Sequence, residues 1–199
     1  MHRCIVCITT ILLSIWLLPS MPRAGEAVDA GTLLNPFTPG NVAISLTEPS
    51  FVEGAVAGPE GVVKKDPVVT NTGSCGVMVF LAVTIPKGDF QDVSSGAALQ
   101  VEGEEIFSFE VNPPWEAMGE GEDLGEKVRY LYFYPLALES GEATPPLFTS
   151  LKTACYKEGT LSGTVKVELE AYAIQKEAAL GDAQEIYALY LAHSQEEDP

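Results

Sequence analysis

From Gly76 to Ile85 the chain reads GVMVFLAVTI, eight apolar residues among ten. A strand with one wet face alternates apolar and polar residues, whereas this run is apolar on both faces and must be covered on both sides. Val128 to Tyr134, VRYLYFY, has the same character. Elsewhere the period is two. Val42 to Leu46 begins a strand, Phe107, Phe109 and Val111 share one face, and Val165, Val167, Leu169, Ala171 and Ala173 alternate with Lys166, Glu168, Glu170 and Tyr172. Gly and Pro turn signals separate these segments. Short strands so punctuated predict a mostly β fold, an antiparallel β-sandwich of jelly-roll type. One segment departs: Asp182 to His193 places Ile186, Leu189, Tyr190 and His193 at helical spacing, with Asp182 as its N-cap, and predicts a C-terminal helix.

The first 30 residues read differently. His2 and Arg3 precede an uncharged run, Cys4 to Leu18, and then Pro19, Ser20 and Pro22 with small residues up to Ala30. This is the pattern of a secretory signal peptide, with cleavage after Ala27 or Ala30. The run is shorter than the roughly 20 residues a membrane helix needs, so the mature chain is expected to be exported and to carry no integral membrane segment. The expected organisation is a leader (1–30), an extended N-terminal segment (31–40), a β-sandwich domain with its C-terminal helix (41–194) and an acidic tail, QEEDP (195–199).

Export leaves Cys75 and Cys155 where disulfides persist, and a single bridge between them is the simplest reading, with two free thiols as the alternative. Closing a loop of about eighty residues contributes roughly 4 kcal/mol in the chain-entropy view. Charge is strongly acidic. The full chain has 11 Lys and Arg against 28 Asp and Glu, net −17, and losing Arg3, Arg23, Glu26 and Asp29 with the leader leaves the net unchanged. Such a surface repels nucleic acid and anionic membranes.

Catalytic motifs are missing. The sequence has no His-Glu-x-x-His, no Gly-x-Ser-x-Gly and no phosphate loop, and His193 is the one histidine beyond the leader. At the end of an acidic helix that histidine suits the helix dipole better than a triad. No catalytic residue, cofactor or zinc site is assigned. The loop WEAMGEGEDLGEK supplies Glu120, Glu122 and Asp123 as weak calcium candidates, since oxygen ligands lie close together between flexible glycines. Its spacing matches no EF-hand, and a solvated acidic loop is the plainer reading.

Four stretches, NPFTPGNVAISLTEPSF (35–51), KDPVVTNTGSCGVMVFLAVTIP (65–86), PLALESGEATPPLFTSLK (135–152) and VELEAYAIQKE (167–177), occur in the order and style of the TasA/camelysin family of exported Gram-positive proteins, which the chain resembles over most of its mature length. The KDP-x-VTNTGS and GE-x-TPPLFTS blocks carry the resemblance most specifically. It implies a jelly-roll domain and assembly into extracellular biofilm fibres; some members are described as casein-cleaving metallopeptidases. Where family leaders are followed by an aromatic AYFTD-like run, this chain has GTLLNPFTPGN with Pro36 and Pro39. Two readings follow: a secreted matrix or cell-surface subunit that self-associates by strand addition, or a camelysin-type metalloendopeptidase. A calcium- or polymer-binding surface module is a third. A single mature histidine disfavours the peptidase. For strand addition, the expected donor is the segment 31–40, with Leu33, Leu34 and Phe37 as anchors.

Overall fold

The computed structural model describes residues 40–52, 58–161 and 165–194, all within a unit running from Pro39 to Pro199. The expected leader, the expected anchors Leu33, Leu34 and Phe37, and the acidic tail lie outside the described residues.

The chain is mostly β and antiparallel. The apolar run Val77–Ile85 becomes the first half of β4 (Val77–Asp92), the centre of a six-stranded sheet. β11 (Glu168–Gln175) flanks β4 on one side and β9 (Lys127–Leu138) on the other, and β9 also pairs with the two-residue strands β7 (Glu116–Ala117) and β8 (Glu122–Asp123). β5 (Leu99–Glu105) pairs with the second half of β4. Two smaller sheets complete the set: β1 (Ile44–Thr47) with β3 (Val68–Asn71), and β2 (Val62–Lys64), β10 (Ser150–Thr153) and β6 (Phe107–Ser108) in that order.

Both faces of β4 are covered, as its composition requires. Val77, Val79, Leu81, Val83 and Ile85 are fully buried on one face, against Val69 of β3, Phe107 of β6, Leu151 of β10 and the Leu147–Phe148 pair. This is the interior of a β-sandwich-like fold. The other face carries Phe80, also fully buried, packed with Phe133, Ile174 and Ile186. Ile186 belongs to helix α1 (Ala183–Ser194), so the second cover is a helix and not another sheet. β9 divides in the same way, with Tyr130, Tyr132 and Tyr134 facing the main core and Leu131 and Phe133 facing the helix.

Helix α1 begins where expected. Asp182 Oδ1 accepts the Glu185 N–H at 3.0 Å, and Glu185 Oε2 accepts the Asp182 N–H at 3.0 Å, a reciprocal capping box. Two strands differ from expectation. β4 continues past Ile85 to Asp92, changing partners near Pro86: β9 pairs with it as far as Pro86, and β5 from Lys87 onward, with a bulge between Gly88 and Phe90. Proline has no N–H for a ladder, so it marks the exchange and does not end the strand. The strand expected through Phe107, Phe109 and Val111 shrinks to Phe107–Ser108. Phe107 is buried and Phe109 packs on the core, but Val111 is exposed, and Pro113 and Pro114 close off further pairing.

Candidate functional site

The two blocks that carry the family resemblance pack against each other. Asn71, fully buried, donates through Nδ2 to the carbonyls of Cys75 (2.8 Å) and Leu138 (2.9 Å), while its Oδ1 accepts the Gly73 N–H at 2.9 Å. Its own backbone N–H reaches Glu142 O, and its carbonyl accepts from Gly141. Thr144 closes the pairing: its N–H donates to Val69 O and its Oγ1 accepts the Val69 N–H. Leu147 N–H meets Pro67 O, and Lys65, itself buried, pairs with Glu48 at 2.5 Å. Gly73 has no room for a side chain, since a Cβ there would lie 2.4 Å from the Asn41 carbonyl. Asn71, Thr144 and Lys65, the buried polar residues of these blocks, all have structural partners.

The expected Cys75–Cys155 bridge is not formed, and both residues are free thiols. Cys75 precedes β4, with its Sγ 3.2 Å from the Asn41 carbonyl; Cys155 lies past the other end, where its carbonyl accepts from Val93 N–H. The sixteen residues of β4 stand between them. At about 3.4 Å per residue that is roughly 50 Å along the strand, far beyond the ~7 Å Cα separation a disulfide tolerates, even allowing for the strand's curl and bulge.

Cys155 borders a shallow depression of about 440 Å³ with Phe90, Asp92, Glu104 and Glu105. Partial burial, then the nearby Glu60 and Asp92 carboxylates, push its thiol pKa up and favour the unreactive protonated form. Asp92 is engaged by the N–H and hydroxyl of Ser94, which lower its pKa, and Glu105 accepts the Tyr130 hydroxyl at 2.5 Å. The calcium candidates do not converge. Asp123 bonds to Lys87 at 3.0 Å and to the Gly125 N–H, which together hold its carboxyl below the usual range, while Glu120 and Glu122 are exposed. Among the described residues no group of three or more His, Cys, Asp or Glu side chains is placed to hold a metal. His193 sits on the last turn of α1, its side chain outside the described residues.

What remains is a sheet edge. Among the described strands β11 pairs with β4 alone; β1 comes near it but forms no ladder with it. The phase of that edge follows from two bonds. Lys176 N–H donates to Gly76 O at 3.0 Å, one step beyond the Gln175–Val77 pair, and Lys87 N–H donates to Glu126 O at 2.8 Å, one step beyond Pro86–Lys127. Hydrogen-bonded pairs alternate in an antiparallel ladder. Even-numbered β4 residues therefore bond to β11 and odd-numbered ones to β9. The same alternation turns the N–H and C=O groups of Leu169, Ala171, Ala173 and Gln175 outward, away from β4. Side chains of Leu169, Ala171 and Ala173 pack on the main core, while Tyr172 and Ile174 face the helix.

Comparison with protein-family models, curated proteins and solved structures returned no match for this chain.

β11 differs from the other free edges among the described residues. β6, β7 and β8 have two residues each, β2 has three, β1 has four, and β5 carries Glu102, Glu104 and Glu105. Short strands and edge charges discourage pairing with another chain. β11 has eight residues, and its acids are answered from β9: Glu168 pairs with Lys127 at 2.7 Å and Glu170 with Arg129 at 3.7 Å. From Ala171 to Gln175 it carries no charge. No helix among the described residues is long and apolar enough to cross a membrane.

Proposed function

We propose that this chain is a secreted structural protein, a fibre-forming or surface-associated subunit of a biofilm matrix that assembles by strand addition. The observation that carries this reading is the β11 edge, long, neutral at one half and unpaired among the described strands. Open peptide groups in a row give a second chain main-chain hydrogen bonds, and alternate side chains give it register. No catalytic group is needed for such a role. The family resemblance points the same way, and the surface's net negative charge keeps unassembled subunits apart until a specific edge contact forms.

Electron microscopy of the chain from residue 31 onward tests the proposal. Fibres are expected from that chain, and folded monomers after deletion of residues 31–38. Fibres that survive the deletion, or a full chain that stays monomeric under biofilm conditions, would sink strand addition.

A further inference from the structure

We propose that Tyr172 on β11 and Tyr190 on helix α1 form an oxidative cross-linking site, where a haem peroxidase with hydrogen peroxide joins the two rings as a dityrosine and fastens the helix to the sheet. The rings are already neighbours, with centroids 5.2 Å apart and planes tilted by 46°. Tyr187 completes the cluster but is less well placed to couple. Its ring lies 6.4 Å from that of Tyr172, and it stacks on Tyr190 at 5.9 Å and 18°, an arrangement that opposes ring faces and not ring edges. All three tyrosines are half-buried, so they are held in place yet open to an oxidant at the surface. A covalent tie of this kind does what a disulfide cannot do here, since Cys75 and Cys155 lie beyond opposite ends of β4.

Tyr172 is equipped to start the reaction. A neutral phenol loses an electron most readily when a positioned base takes its proton. The Tyr172 hydroxyl donates to Glu170 Oε2 at 2.6 Å and accepts from Arg129 Nη2 at 2.8 Å, so its one proton is directed at the carboxylate. Tyr130 has a comparable bond to Glu105, but its ring meets Phe109, which has no phenol to oxidise. In the coupling each phenol loses one electron and its hydroxyl proton, that of Tyr172 to Glu170 and that of Tyr190 to water. The two radicals join through a ring carbon next to each oxygen. Each of these carbons then releases its hydrogen as a proton, and each oxygen takes one up again. The pair has lost two hydrogen atoms in all, and hydrogen peroxide has become two waters.

Limited treatment of the dilute, purified chain with a haem peroxidase and hydrogen peroxide tests the site by mass spectrometry and dityrosine fluorescence. A monomer two hydrogen atoms lighter is expected, and trypsin should release residues 167–176 joined to the peptide that begins at Glu177. Tyr172→Phe and Tyr190→Phe, each keeping its ring, should lose this product, while Tyr187→Phe keeps it. Glu170→Gln leaves both rings in place but removes the proton acceptor, and its initial rate is expected to fall about tenfold. Circular dichroism checks that each variant folds, and if one does not, the peptide map of the unmodified chain still decides the pair. Cross-links found only between chains, a product that survives Tyr190→Phe, or one lost in folded Tyr187→Phe overturns the pairing. An unchanged rate in Glu170→Gln overturns the proton path.

Discussion

Asn71 is the residue on which the join between the two sequence blocks depends. Replacing it with Ala removes two donors and one acceptor, taking a donor from the Cys75 and Leu138 carbonyls, while the Gly73 N–H keeps its bond to the Ala43 carbonyl. Buried groups left unpaired cost about 1–3 kcal/mol each when water cannot reach them. Asn71→Ala is expected to lower stability by about 2–4 kcal/mol, read as a lower urea midpoint at unchanged slope. Two tyrosines report on alkaline stability. Burial, then the bond to Glu105, pushes Tyr130 up to about 12; burial and the bond to Glu170 raise Tyr172 to about 12 against the opposing pull of Arg129. A phenol raised in the folded state contributes stability that is complete below its unfolded pKa near 10 and is lost as pH rises through the folded value. Phenolate absorbance should show these two titrating late, near pH 12, accompanied by loss of structure. Uniform titration near pH 10 with the fold intact would contradict it. The sequence shows that the Asn71 block is distinctive; only contacts across 67 to 75 residues of chain show that its task is structural.

At the scale of elements, helix α1 is the cover for one face of β4 and β9. Its start was legible from Asp182 followed three residues later by Glu185, a local pattern that needs no tertiary help. Gly181 precedes it at φ +113, and a Cβ there would fall 2.0 Å from Glu185 Oε2, so Gly181→Ala strains the cap as well as the backbone. Asp182→Ala is expected to cost about 1 kcal/mol. Ile186→Ala, at a position 4% exposed, should cost about 2–5 kcal/mol. Truncation after Gly181 uncovers Phe80 and Phe133, and the truncated chain is expected to bind an apolar dye that the full chain ignores. The second half of β4 was less legible. Pro86 reads locally as a strand end, and only the arrival of β5 turns it into a change of partner.

For the molecule as a whole, the two thiols give the sharpest check. Both Cys75 and Cys155 should react with a thiol reagent under native, non-reducing conditions, Cys155 more slowly because its thiol is held protonated; a mass two hydrogen atoms short of the reduced value would contradict the strand that separates them. The sequence by itself determined the β class, the antiparallel alternation of Val165 to Ala173 facing the core, the strands that need two covers and the capped helix, because each depends on the period or chemistry of neighbouring residues. Tertiary structure alone decided that a helix and not a sheet covers Phe80, that Cys75 and Cys155 lie beyond opposite ends of β4, that Asp123 is held by Lys87 and not offered to a cation, and that β11 keeps a long edge unpaired among the described strands. These are relations between residues distant in the chain. Alternation along a strand says which side a residue faces, but not which element arrives there, since that depends on how the chain closes its loops around one shared core.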